Sequence, residues 1–165
     1  MEKITACCVT GHRPEKLPWG DREEDPRCVD LKNRLRLEAE RAYEQGCRHF
    51  LSGMARGVDL YFAEIVLELG SSFPGVSLEA VIPYPEQAEG WPAGERERYQ
   101  RLLEQCAVET VVQQFYTPGC LHRRDRYMVD RVSRLLAVYG GQPGGTRYTV
   151  HYALKQGVDV VVLEP

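Results

Sequence analysis

The sequence predicts one α/β domain with a mostly parallel, doubly wound sheet and helices on both faces. Three observations carry this. Six short apolar, β-branched runs alternate with longer amphipathic stretches over the 165 residues. Glycine closes three of the amphipathic stretches. Clusters of Gly, polar and aromatic residues follow the apolar runs, whereas the residues that precede the runs are plainer.

The elements follow in order. Residues 4–9 read as a first buried strand. Residues 29–45 place Leu31, Leu35, Ala39 and Ala42 at helical spacing and stop at Gly46. Residues 49–51 form the second strand. Residues 58–69 carry Val58, Phe62, Ile65, Val66 and Leu69 on a helix that stops at Gly70. The third strand is 78–82, followed by a helix over 94–105 with Tyr99, Leu102 and Leu103. The fourth is 108–112, followed by a helix over 122–133 with Tyr127, Met128 and Val132. The fifth is 135–139, and its helix, 147–156, carries Val150, Ala153 and Leu154 before Gly157. Residues 158–163 close the set. Crossovers between parallel strands are right-handed, which leaves few topologies and makes a Rossmann-like sheet the leading one. Two loops, 14–27 and 83–94, hold three prolines each, and no linker divides the chain, so residues 1–165 read as one domain.

Composition excludes several classes. With 27% charged and 43% hydrophobic residues the chain is neither disordered, collagenous nor a coiled coil. No apolar run approaches the roughly 18–20 residues that span a bilayer. The apolar stretch that begins soon after Met1 is too short for a signal peptide, which predicts a cytoplasmic protein. A net charge of -3 and a pI near 5.8 lack the basic excess of a nucleic-acid module. The six cysteines have no C-x-x-C spacing, so they read as reduced, mostly buried thiols and no metal is expected. Cys7 and Cys8 are neighbours in a strand and should point to opposite faces.

In a parallel sheet the strand C-termini share one edge, where open α/β sheets bind ligands. Five clusters converge there. They are Thr10-Gly11-His12-Arg13, Ser52-Gly53 through Asp59, Pro83 through Gln87, residues 113–119, and Gly140 through Thr146. Gly144 and Gly145 open a helix after a strand, so backbone N–H groups can approach an anion that the helix N-terminus favours. Thr146 can cap the helix or bond a phosphate oxygen, and a plain tight turn with an N-cap is the alternative. Ser52-Gly53 and Gly57 bracket a second such turn around Arg56. Asp59 either caps the next helix or bonds a ribose hydroxyl. The segment is not a Walker loop, because no Gly-Lys-Ser/Thr follows, and it is not G-x-G-x-x-G.

Arg13, Arg56, Arg124, Arg126 and Arg147 fall near the same edge, and guanidinium forks match phosphate. Two of the five are expected on a ligand, the others in surface ion pairs. His12 is either an acid–base group or a hydrogen-bonding bystander. Tyr84 and Trp91 can stack on a base, with core or dimer contacts as the alternative for Trp91. His122 and His151 read as structural. No nucleophile–base pair stands out.

The same residues carry a resemblance. Thr10 through Pro14, Gly53 through Glu64, and Tyr139 through Thr146 resemble the YpsA-like family of the SLOG superfamily, named for Smf/DprA and LOG proteins, over nearly the whole chain. Gly53 through Asp59 is also similar to the Ser-Gly-x-Ala-x-Gly-Ile-Asp motif of the DprA core. Residues 124–128, followed by Pro143-Gly144-Gly145-Thr146, look like the LOG signature Arg-Lys-x-x-Met with Pro-Gly-Gly-x-Gly-Thr-x-x-Glu. The resemblance implies a bacterial, Rossmann-like protein that binds a nucleotide or an ADP-ribose-like ligand. LOG enzymes cleave the N-glycosidic bond of a nucleotide with that Arg and Glu. Arg124 takes the first place here, the motif is one residue shorter, and Thr149 stands where Glu is expected. A threonine cannot stabilise an oxocarbenium-like centre as a carboxylate does.

Three functions therefore stand open. The first is a cytosolic sensor of a small phosphorylated ligand. The second is a phosphoribohydrolase with a relocated carboxylate, for which Glu64 and Glu86 are the first candidates beside Arg124. The third is DprA-like binding of single-stranded DNA, which the pI disfavours. Superfamily relatives often pair, so a homodimer is expected by analogy.

Overall fold

The computed structural model describes residues 4–165. Met1 lies outside them. Six strands, β1 (Ala6–Gly11), β2 (His49–Ser52), β3 (Ser77–Ile82), β4 (Val108–Val111), β5 (Arg134–Val138) and β6 (Asp159–Leu163), form one sheet. Every pairing is parallel and the order is β4-β3-β2-β1-β5-β6. The chain steps outward from β1 through β4, then returns to place β5 on the other side of β1. The strand order therefore reverses between β1 and β5, where an α/β sheet opens a crevice.

Five helices connect the strands: α1 (Pro26–Glu44), α2 (Val58–Ser72), α3 (Ala93–Gln105), α4 (Cys120–Val129) and α5 (Gly145–Lys155). One core cluster joins Cys7 and Val9 of β1 to Leu31 and Leu35 of α1, Phe62 and Val66 of α2, and Tyr99 and Leu102 of α3. The other joins Ala6 and Cys8 to Met128 and Val129 of α4 and Val150 and Ala153 of α5. Cys7 and Cys8 thus face opposite layers, as strand alternation requires. Burying a Leu or Phe side chain in such layers contributes roughly 1.5–3 kcal/mol.

The structure moves five helix ends and one strand; among them, α4 stops at Val129 instead of residue 133. β1 starts two residues late and reaches Gly11, because residues 7–11 pair with 134–138 of β5. Helix α1 starts at Pro26: Asp25 caps it by accepting from Arg27 N at 2.9 Å, and proline at the first position loses no hydrogen bond. Helix α2 runs through Gly70 to Ser72 and closes when Phe73 N donates to Leu69 O. Gly70 has ordinary helical backbone, and the left-handed turn falls at Gly75, φ +83°. Helices α4 and α5 each start two residues early. Leu154, expected on the apolar face of α5, is 59% exposed. The 14–27 loop is pinned to α2 by a buried bond from Trp19 Nε1 to Tyr61 Oη, 3.1 Å.

Candidate functional site: a cleft at the β1–β5 crossing

Packing at the exit of β1 allows no side chain on Gly11 or Gly57. A β-carbon on Gly11 would lie 2.6 Å from Val58 Cγ1. Gly57 has φ +89° and ψ -131°, a region that only glycine occupies readily, and a β-carbon there would meet the His12 carbonyl at 2.6 Å. Val58 N donates to that same carbonyl at 3.3 Å. The start of α2 is thereby fixed against the loop after β1, and a cleft of about 460 Å³ opens beside it. Among the expected residues, Thr10, Gly11, His12, Arg13, Asp59, Arg124, Gly145 and Thr146 line it.

Its floor is a buried ion cluster. Arg124 Nε donates to Asp125 Oδ1 at 2.7 Å, and Nη1 donates to the Gly53 carbonyl at 2.7 Å. Asp59 Oδ2 accepts from Ala55 N at 3.2 Å. Ser52 Oγ donates to the Asp59 carbonyl at 2.8 Å and accepts from Met54 N at 3.2 Å. The turn between them is tight enough to hold buried Met54 at φ +60°. Thr149 Oγ1 lies 2.9 Å from Asp125 Oδ2 and 3.0 Å from the Gly145 carbonyl. Thr149 therefore holds a carboxylate in place rather than replacing one.

Burial pushes the Asp59 carboxyl up to about 6, with Asp125 adding repulsion and Arg124 opposing both. Burial also disfavours the Arg124 cation, yet Asp125 and Asp59 outweigh it and hold its pKa above the usual arginine value. His12 is lowered, first by burial and then by the charge on Lys16, so it is neutral near pH 7.

The rim is cationic. Gly144 is the N-cap of α5, no side chain caps that helix, and Gly145 and Thr146 face the cleft. Arg13 and Lys16 also line the cleft, the Lys16 ammonium close to Gly144, and neither forms an ion pair among the described residues. Unpaired helix N–H groups and two unpaired cations make this end fit for an anion.

The other expected residues lie elsewhere. Ser52, Gly53 and Gly57 support the floor and do not line the cleft, and the open side of Gly53 is filled by the Arg124 guanidinium. Gly144 stands at the rim, near Lys16. Arg56 and Tyr84 line a neighbouring chamber of about 450 Å³ with Trp91, Tyr116 and Gln87. Arg126 Nη1 donates to Tyr148 Oη at 2.8 Å, and Arg147 is exposed outside both chambers. Glu64 pairs with Arg98 in a charged groove along α2 and α3, and Glu86 is exposed on its loop. Neither reaches the cleft, because Glu64 lies well inside α2, beyond the first turn, and Glu86 projects outward beside buried Gln87. The carboxylates that do line it are Asp59, Asp125 and Glu15. The sequence does not mark Glu15, Lys16, Asp125 or His122, which stacks on Tyr148 at 3.9 Å, as site residues, yet all four line the cleft. The adjacency of Asp125 to Arg124 was the available signal.

Among the described residues no group of three or more His, Cys, Asp or Glu is placed to hold a metal ion. No helix there is long and apolar enough to cross a membrane.

The model of the YspA SLOG family matches residues 7–159. The chain belongs to that family. It is 30% identical over 152 residues to UPF0398 proteins of Bacillus thuringiensis (strain Al Hakam) and Bacillus cereus (strain AH187), covering 90% of this chain and 82% of theirs. Its fold is similar to that of DNA processing protein A (DprA) from Streptococcus pneumoniae, with a TM-score of 0.60, 15% identity and 96% of this chain covered. The chain spans half the length of that protein. SLOG membership and the all-parallel sheet agree with the Rossmann-like expectation.

Proposed function

We propose that the β1–β5 cleft binds a small phosphorylated ligand derived from a nucleotide. One observation carries the reading: the uncapped start of α5 and the unpaired Arg13 and Lys16 face the same cleft, while the buried carboxylates below are offset by Arg124. A phosphate would accept from the Gly145 and Thr146 N–H groups and neutralise the rim. The cleft's volume is that of a small-molecule site. A cytoplasmic location fits such a ligand and six free thiols. Thermal melting with ADP-ribose, NAD, AMP and cyclic nucleotides tests it. A ligand at 100 times its Kd adds about 2.7 kcal/mol of stability. The reading fails if none shifts the melt and Gly145→Val changes nothing.

Two buried carboxylates beside Arg124 favour a second reading, hydrolysis of a nucleotide's N-glycosidic bond. Asp59, with its pKa near 6, would protonate the leaving base as the C–N bond breaks, and water would supply the hydroxyl at the sugar carbon and return its other proton to the Asp59 carboxylate. Release of free base from AMP, abolished in Asp59→Asn, would support it. No release from purine or pyrimidine nucleotides would remove it.

A further inference from the structure

The chamber next to the cleft differs from it in chemistry. The two share the side chains of Arg13, Glu15 and Leu121, so they are joined along one wall. The first holds unpaired cations and a helix N-terminus. In the second, the one further cation, Arg56, stands between two carboxylates: its Nη1 donates to Glu15 Oε1 at 2.9 Å, and its buried Nε, which makes no hydrogen bond, lies 3.8 Å from Glu95 Oε2. A second phosphate therefore gains little there. The chamber offers aromatic surface instead. Tyr84 and Tyr116 meet edge to face, ring centroids 5.4 Å apart, and Trp91 is held at 75° against Tyr99. Tyr116 is 62% exposed, so one of its faces is uncovered. Gln87 donates to the Gly53 carbonyl at 3.1 Å, which uses its amide to fix the loop. Glu15 is left as an acceptor on the shared wall, suited to an amino group or a sugar hydroxyl.

We infer that this chamber is a ring-stacking subsite, so that the site takes a two-part ligand: a phosphate under Gly145 and Thr146 and a planar heterocycle against Tyr84 and Tyr116, joined across Arg13. The inference rests on the proposed phosphate site and adds the class of ligand. Stacking a base on aromatic side chains is sequence-tolerant, because every base has a π-face. The ring would meet Tyr116 on its open face and pass Trp91, while its amino group or ribose would reach Glu15.

Calorimetry on the full chain with ribose 5-phosphate and with ADP-ribose separates the two levels. ADP-ribose is expected to bind at least tenfold tighter. Tyr84→Ala and Tyr116→Ala each erase that advantage and leave ribose 5-phosphate affinity unchanged, while Tyr84→Phe keeps it. Tyr116 is exposed enough that its replacement does not threaten folding. ADP-ribose, but not ribose 5-phosphate, quenches tryptophan fluorescence, and Trp91→Phe removes the quenching because Trp19 is shut in the core. Equal affinities for the two ligands, or tyrosine variants that weaken both alike, overturn the subsite and leave the phosphate site standing. Failure of both ligands to bind overturns the phosphate site and the subsite together.

Discussion

Arg124 and Gly53 occupy one another's space. The guanidinium donates to the Gly53 carbonyl at 2.7 Å, and a β-carbon on residue 53 would sit 2.5 Å from its central carbon. Gly53→Ala is expected to cost about 1–3 kcal/mol by overpacking. Arg124→Ala leaves Asp125 and Asp59 without their buried cation and should cost about 3–5 kcal/mol. The two changes should not add: with Arg124 truncated, alanine at 53 meets empty space. Urea unfolding of the single and double variants measures this. Full additivity contradicts the arrangement.

Asp59 makes the fold sensitive to pH in an unusual direction. Its carboxyl titrates near 6 when folded, against an ordinary 3.8, so the native state binds more protons between those values. Stability from this group is therefore gained as pH falls from about 6 toward 4 and lost as pH rises. The difference corresponds to about 3 kcal/mol. Asp59→Asn is expected to stand better against wild type at pH 7 than at pH 4, by up to that amount. A stability difference that does not change with pH would place the Asp59 carboxyl near its ordinary value.

Two glycines with nearly equal φ predict different costs. Gly57, at +89°, is closed in by the His12 carbonyl, whereas Gly90, at +88°, has nothing within 4 Å of a β-carbon. Gly90→Ala pays only the left-handed backbone cost, about 1–2 kcal/mol. Gly57→Ala adds the clash and should also disturb the loop that carries His12 and Arg13. Melting curves of the two variants should differ by several degrees. Similar melting points would show that the loop yields freely.

Arg13 and Lys16 are exposed and make no ion pair among the described residues, so replacing them should spare stability and weaken anion binding. Arg13→Ala and Lys16→Ala are each expected to lower affinity for a phosphorylated ligand roughly three- to tenfold, with melting points unchanged. The loss should shrink as salt rises, because exposed charges are screened. Titrations at two salt concentrations check it.

Most of the sheet was legible because a buried strand leaves an uninterrupted apolar run. Alternation in the sequence also placed Cys7 and Cys8 on opposite layers. Helix ends were less legible. Gly70 looks like a stop, yet Phe73 N still reaches Leu69 O, so the helix continues past it. The start of α1 hides in Asp25-Pro26, an N-cap and a first-turn proline before the apolar spacing begins. At the site, glycine turns and Arg13 could be read as edge residues, but their division of labour could not. Gly53 turns its open side to the Arg124 guanidinium. Asp125 gains its place from Arg124 and from Thr149 on a separate helix, a partnership without a sequence spacing. Glu64 is kept from the cleft by its place inside α2, where Arg98 of α3 pairs with it.

Backbone amide NMR during titration with ADP-ribose tests the central claim most directly. The account predicts saturable shifts of the Gly11, Gly145 and Thr146 amides at micromolar to low millimolar ligand. Absence of any shift at these amides, or shifts confined to the charged groove around Glu64 and Arg98, would contradict it.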